Sequence, residues 1–590
     1  MRYKLALLLS LMCAPCAIAA RAAPVAAEPV NPVDFKWDVK IPMRDGVNLS
    51  ATLYRPNPLA GPLPCVFTLT PYIGQTYHER GMYFASHGYV FLTVDVRGRG
   101  NSEGKFEPLV RESQDGPDIV EWLAKQSYCN GKVAMWGGSY AGNDQWMTAK
   151  ERPAHLATII PAASPRLGVD FPSRNNIFYA YNLQWLTLTA GRTPQDNIFD
   201  DRKFWDAKNS ELFLSHRAYS ELDAIVGNAS PTFQSWISHP SIDSYWDNLN
   251  PTPKQLGAID IPVLTITGQY DGDQPGALSF YGEHLANTSA AQKARNFLII
   301  GPWDHAGTRT PRAEVGGLTF GAESLLDMNK LHKEWYDWIM KAGPKPGFLK
   351  APVSYYVLGK GAETWRYARS IEAITGEVQP LYLSANGNAA DSVFSSGTLG
   401  KASLAGEKPS QYIYDPLDVS FDTFDAQDLT DQSGLLKSSG KLLVYHSTAF
   451  AKDTTIAGFF KLSAWLEINQ PDTDIAAMIY EIDPKGESVF LGSQAIRARY
   501  RASLREPKPV RQNEIERYDF NDFPFIARQV ARGSRLRLVI APVNSRMFEK
   551  NYNSGGDVAN ETGKDARTVT VKLYHDAQHP SALSVPIEAK

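Results

Sequence analysis

The chain has 590 residues, more than one hydrophobic core can hold, and length alone predicts roughly two to four domains. Hydrophobic residues make up 43% and charged residues 21%, the proportions of an ordinary globular protein rather than a disordered or membrane-embedded one. Sixty Lys and Arg against 63 Asp and Glu leave a net charge of −3 with no long basic run, which argues against nucleic acid as a partner.

The first elements belong to targeting. Arg2 and Lys4 precede an apolar run over 5–14, followed by small residues at Ala17, Ala19, Ala20, Ala22 and Ala23, the layout of an export signal. The run is too short for a membrane span, and cleavage fits after Ala19 or Ala22. Segment 1–22 is therefore expected to leave a periplasmic or secreted protein without a membrane anchor. In that oxidising compartment Cys65 and Cys129 are either a disulfide or two buried small hydrophobes.

From about Asp34 to Ala162 strand-like and helix-like stretches alternate, which predicts a mainly parallel sheet. A hairpin opens it around Arg44-Asp45-Gly46. Buried strands are predicted over 65–72, 89–96, 133–136 and 156–161, with a helix over 118–126. From about Ser164 to Asn250 the composition turns to Asn, Asp, Trp and Tyr, with helical stretches over 176–188 and 217–225, as expected of an inserted cap. The sheet resumes over 262–267 and 296–300, and 325–339 reads as its last helix. This first domain is expected over 23–345, and beyond about 349 the pattern becomes β. Leu462, Ala464 and Leu466, then Leu536, Leu538 and Ile540, then Val569, Val571 and Leu573 alternate with polar residues, the period of half-buried sandwich strands. Segments 395–398, 401–410 and 553–564 read as surface loops, and His575 and His579 as surface residues rather than metal ligands.

Three residues at strand ends carry the chemistry, in the order Ser139, Asp271, His305. That order is the one found in α/β-hydrolase sheets, and it differs from the chymotrypsin-like and subtilisin-like orders. Ser139 has Gly137 and Ala141 two positions to either side, as a sharp strand-to-helix turn requires. A serine hydroxyl needs a base, and His305, in a loop just after 297–300, is the best placed. Asp271 would hold that imidazole in one tautomer, although Asp273 is close enough in sequence that spacing alone does not separate them. Asp304 adjoins His305 and would have to fold back sharply to orient it. The Tyr140 N–H is one expected oxyanion donor, and the second is expected from the loop at Pro71-Tyr72.

Thr70-Pro71-Tyr72, the stretch from Asp95 to Gly104 with Arg97 and Arg99, Gly137-Gly138-Ser139-Tyr140-Ala141-Gly142, Tyr270-Asp271-Gly272 and Gly301-Pro302-Trp303-Asp304-His305 together resemble the cocaine esterase family. That family includes α-amino acid ester hydrolases, cephalosporin acylases and Xaa-Pro dipeptidyl peptidases. The likeness runs from about Trp37 to the C-terminus, including 551–556 and 575–581. It implies an α/β-hydrolase domain with a helical cap, a C-terminal jelly roll over 349–590, and the Tyr72 hydroxyl as second oxyanion donor. Asp95, Arg97 and Arg99 match a family motif and are expected to be buried ion-pair scaffolding. In the amino ester hydrolases an acidic cluster binds the substrate ammonium. Here Asp273 matches its first member, Gln274 replaces the second, and the cap member falls near Asn175 or Asn176. The expectation is a serine hydrolase acting on a small ester or amide, with no metal or organic cofactor and with oligomeric state left open. An amine-requiring ester hydrolase or dipeptidyl peptidase, with Asp273 as substrate ligand, is the alternative.

Overall fold

In the computed structural model, which describes residues 30–589 apart from 360, 362, 404, 405, 425 and 427, a ten-stranded sheet carries the first part of the chain. The predicted export signal, 1–22, lies outside the described residues. The opening hairpin pairs β1 (Val33–Pro42) with β2 (Asn48–Pro56). The sheet continues through β3 (Leu63–Thr70), β4 (Val90–Asp95), β5 (Cys129–Gly138), β6 (Leu156–Ala162), β7 (Val263–Tyr270) and β8 (Asn296–Asp304). It does not stop at 345–349, because β9 (Val353–Val357) and β10 (Thr364–Ala368) add to the same edge. The order is β1-β2-β4-β3-β5-β6-β7-β8-β9-β10, parallel from β4 to β9 and antiparallel at the edges. The central strands are buried on both faces, which is why they read as unbroken apolar runs.

Helices cover the two faces. On one, α1 (His78–Ser86) lays Phe84 near Phe91 and Trp136. On the other, α2 (Glu112–Ala124) and α3 (Tyr140–Ala149) bury Ile119 and Trp146 in one core with Phe67 and Met135. α2 starts at Glu112 rather than Asp118. Gly116-Pro117 looks like a breaker in sequence, but Gly116 is where the helix passes closest to Thr148 of α3, too close for a Cβ. Cys65 and Cys129 are free and buried in this core, not joined as a disulfide. The register sets Cys65 opposite Val133, and its thiol donates to the Leu63 carbonyl at 3.6 Å.

Between β6 and β7 the chain leaves the sheet and forms short helices, as expected for the cap, but two boundaries differ. The helix expected from 176 begins only at Tyr181, as α4 (Tyr181–Leu188), because Asn175 and Asn176 adopt φ of 51° and 62°. They turn a two-residue hairpin, Ser173–Arg174 against Ile177–Phe178. The helix expected over 217–225 is a 3-10 turn at Tyr219–Glu221 leading into Leu222–Val226, stopped by left-handed Gly227.

The C-terminal region is β-rich, and the strands expected from alternation form at Lys461–Ile468, Arg535–Pro542 and Val569–Tyr574. The polar stretches expected at the surface are only partly there: 555–557, 560 and 564 of the 553–564 loop are exposed, but other residues are not. Gly397–Gly400 is a strand, and Asn553 is fully buried, with its amide donating to the Arg567 carbonyl. His575 is buried with Ser410 Oγ 3.2 Å from Nε2 and Glu407 Oε2 2.9 Å from Nδ1, and burial still lowers its pKa. His579 is half-buried.

The two regions are locked together by polar groups. Gln269 uses one end of its amide across the seam and Gln274 uses both. Gln269 donates to the Tyr356 carbonyl and accepts from Ala527 N–H, and Gln274 accepts from Phe525 N–H at 2.6 Å and donates to its carbonyl at 3.1 Å. Arg497, buried, pairs with Asp474 at 2.9 Å and Glu549 at 2.8 Å and donates to the Asn176 carbonyl. A buried cation with two carboxylates is costly to break, so the cap hairpin is fixed to the β region.

Candidate active site

Ser139 sits between β5 and α3 with φ 61° and ψ −127°, a left-handed conformation that a serine holds only when its surroundings impose it. They do so through close packing. A Cβ on Gly137 would lie 2.6 Å from the Ala141 Cβ, and one on Gly142 2.5 Å from the Ala162 carbonyl oxygen. Gly142 rather than residue 141 is thus the second obligatory glycine of this turn. The Ser139 N–H donates to Ala162 and Ala163 carbonyls, while the Tyr140 N–H, in the first turn of α3, has no acceptor within the helix.

The loop after β3 brings Tyr72 to the same point. Its hydroxyl accepts from Trp185 Nε1 at 3.0 Å, which leaves its own hydrogen for Ser139. Burial pushes the phenol up to about 12, so the hydroxyl stays a donor at neutral pH. Arg99 fixes this loop. It is buried and donates to the Pro71 carbonyl at 2.8 Å and the Thr189 carbonyl at 2.7 Å. Of the expected ion-pair scaffold only Arg97 forms one, with Asp115 at 2.6 Å and Asp45 at 2.7 Å. Asp95 instead accepts from Gly74 N–H at 2.7 Å, and its other oxygen lies where a Cβ on Gly100 would fall.

His305 follows β8, and its Nδ1 lies 2.9 Å from Asp271 Oδ1 and 3.5 Å from Asp273 Oδ2. Asp271 is buried and held from behind by Thr267 Oγ1 at 3.1 Å and by Asp273 N–H at 3.0 Å, so its geometry against the imidazole is the tighter of the two. Asp304 caps its own turn by accepting from Gly307 N–H at 2.7 Å, which removes it as an orienter. Ser139, Tyr72, Tyr140, His305 and Asp273 all line one cavity of about 450 Å³.

The geometry agrees with what this chain is similar to. Residues 45–307 match the family model described as X-Pro dipeptidyl-peptidase, and residues 347–584 match that of the X-Pro dipeptidyl-peptidase C-terminal non-catalytic domain. The chain belongs to this family. Among curated relatives, the cocaine esterase of Rhodococcus sp. (strain MB1 Bresler) is 26% identical over 584 residues, covering 93% of this chain and 98% of the relative. A solved α-amino acid ester hydrolase superposes with a TM-score of 0.82 at 21% identity, covering 97% of this chain and 99% of its own. An aminopeptidase from a marine sediment archaeon, Thaumarchaeota archaeon, gives 0.80 at 20% identity, covering 98% and 99%. The two structural matches establish the shared fold, an α/β-hydrolase with a β-rich C-terminal domain.

In this dipeptidyl-peptidase family member the cavity wall is not the one the sequence suggested. Gln274 is fully buried and spent on the Phe525 backbone and the Gly268 carbonyl. Asn175 and Asn176 donate to the Ala495 and Leu504 carbonyls of the β region at 2.9 and 2.7 Å. None of the three lines the cavity that holds Ser139 and His305. The cap contributes Asp170, Phe171 and Arg174 instead, and the β region contributes Met547 and Phe548. Both Asp170 oxygens accept main-chain N–H groups, from Arg166 at 2.8 Å and Gly276 at 2.5 Å. Burial, with Asp170 and Asp271 nearby, holds the Asp273 carboxyl well above its usual range. Sequence reasoning missed Asp170 and Arg174 because neither follows a long apolar run; the strand that Arg174 ends is only two residues long. The one available signal was the Asn175-Asn176 pair, which marks a tight turn and hence a presented neighbour.

Proposed function

We propose that the protein is an exported serine hydrolase that cleaves a carboxylic ester or amide through an acyl-enzyme on Ser139. In this reading Ser139 Oγ attacks the carbonyl carbon while His305 takes its proton. The tetrahedral oxyanion is received by the Tyr140 N–H and the Tyr72 hydroxyl. His305 then returns the proton to the departing alcohol or amine, and water repeats the sequence to release the acid. Asp271 keeps the Nδ1 proton in place and stabilises the imidazolium. This chemistry needs no metal or organic cofactor. An amine reaching the acyl-enzyme before water would give acyl transfer from the same intermediate.

The observation that carries the reading is the 2.9 Å contact of His305 with Asp271, behind a cavity that also holds a strained Ser139 and the Tyr72 hydroxyl. The esterase named among its relatives supports ester cleavage. Among the described residues no helix is long and apolar enough to cross a membrane. Two experiments test the reading. Fluorophosphonate should label wild type and not Ser139→Ala, and p-nitrophenyl esters should be hydrolysed by the former alone; labelling elsewhere would refute it. For export, mass spectrometry of periplasmic material should find a chain starting at Ala20 or Ala23. A second reading, an amine-requiring enzyme, is favoured by Asp273 in the cavity. A wild-type preference for α-amino esters that Asp273→Asn removes would establish it.

A further inference from the structure

Arg174 occupies an unusual position for a half-buried cation. It ends the first strand of the cap hairpin, next to the left-handed pair Asn175 and Asn176, and the β region clamps that turn. Asn175, Asn176 and the Asn176 carbonyl are each hydrogen-bonded to it, by Ala495, Leu504 and Arg497. The turn is therefore rigid, and its side chain is presented rather than loose. Arg174 lines the 450 Å³ catalytic cavity and also an adjoining one of about 310 Å³, so it forms the partition between them.

Its hydrogen bonding is largely unused. A guanidinium has five N–H donors. The hydrogen bond found for this one is from Nη2 to the Asp522 carbonyl at 3.1 Å. Among the described residues no carboxylate oxygen lies within the 4.0 Å of an ion pair, although Asp170 and Asp522 are near enough to be felt electrostatically. Its remaining nitrogens are not sealed in protein either, since none is among the buried polar atoms without a partner. The side chain lines both cavities, and on the catalytic side Asp170 and Tyr179 feel its charge. The acids nearby do not need the cation: Asp170 has both oxygens on main-chain N–H groups, and Asp273 faces His305. Burial moves Asp170 up to about 7 and holds Asp273 well above its usual range, which leans both toward their neutral forms. The cavity then presents one poorly satisfied planar cation among aromatic walls from Phe171, Tyr179 and Trp185. A planar fork of N–H groups is complementary to a carboxylate, which it can bind through two parallel hydrogen bonds.

We infer that the substrate of this hydrolase carries a carboxylate, and that Arg174 receives it inside the catalytic cavity. The inference rests on the ester or amide hydrolase reading above. It makes Arg174 a specificity residue that touches substrate away from the reacting carbonyl.

Two matched pairs test it with wild-type protein. p-Nitrophenyl hydrogen suberate against p-nitrophenyl octanoate places the carboxylate on the acyl part. 4-Butyryloxybenzoate against its methyl ester places it on the leaving group. Wild type should prefer the carboxylate member of at least one pair. In Arg174→Gln the kcat/KM ratio of that pair should fall about 10- to 100-fold, the worth of a charge-assisted hydrogen bond, and Arg174→Lys should retain more of it. No carboxylate preference in wild type, or an unchanged ratio in Arg174→Gln that still takes up fluorophosphonate, overturns the inference. If Arg174→Gln does not fold, the wild-type comparison decides alone. Ester turnover and Ser139 labelling without carboxylate preference would defeat this inference only. Absence of both labelling and turnover would defeat the hydrolase reading beneath it.

Discussion

Tyr72→Phe separates two consequences of a single hydroxyl. In the resting protein that hydroxyl accepts from Trp185 Nε1 at 3.0 Å and keeps its own hydrogen for the nucleophile's side. With its pKa near 12 it remains a donor across any practical assay range. If it is one of two donors to the developing oxyanion, its removal should lower kcat by about 10²- to 10³-fold, or about 3–4 kcal/mol of transition-state stabilisation. KM should change little, because the donor acts on charge that the ground state lacks. The same substitution leaves the buried Trp185 N–H without its acceptor, which should cost about 1–3 kcal/mol of stability. Steady-state hydrolysis of p-nitrophenyl butyrate measures the first effect and thermal unfolding the second. Fluorophosphonate titration gives the active fraction, so the two cannot be confused. A kcat within threefold of wild type, in protein that is fully labelled, would refute Tyr72 as an oxyanion donor.

Asp271→Asn should lower kcat by about 10⁴-fold with the fold intact, while Asp273→Asn should cost far less on neutral esters; equal losses would make the two carboxylates one functional unit. Arg497→Met leaves Asp474 and Glu549 buried without their cation, so about 3–5 kcal/mol should be lost, read as faster thermal inactivation. Asp95 is buried and its pKa is raised to about 7 by desolvation, so the folded protein holds a proton there that the unfolded chain releases near pH 4. Stability from this group is complete below pH 4 and is lost as pH rises to about 7, by at most about 4 kcal/mol. The unfolding temperature should therefore fall from pH 5 to pH 8, and Asp95→Asn, which still accepts from Gly74 N–H, should flatten that slope. An unchanged slope would place the Asp95 pKa near its ordinary value.

Much of the site is written locally. The strands of the parallel sheet are unbroken apolar runs because both faces are covered, and Ser139, Asp271 and His305 each follow such a run. Gly137 is recognisable because only a residue without Cβ fits beside Ala141, and the backbone torsion at Ser139 follows from that packing. Strand periodicity in the C-terminal region likewise survives into Lys461–Ile468.

What the sequence by itself determined is therefore the succession of the central strands along the chain, the sharp turn at Ser139, and the residue types able to perform acyl chemistry. Tertiary structure alone decided what surrounds the reacting carbonyl. The cavity wall joins Arg174 and Phe171 of the cap to Phe548 of the β region, held in register by contacts such as Phe178 N–H to Glu549 Oε1, 371 positions apart. Gln274 and Asn175 are polar neighbours of the site in sequence, yet the seam between the two regions takes their hydrogen bonds, while Arg174, adjacent to Asn175, gives the seam one hydrogen bond and still lines the cavity. The physical reason is that backbone torsions and hydrophobic period are local properties. Which buried polar group finds a partner depends on which distant surface packs against it.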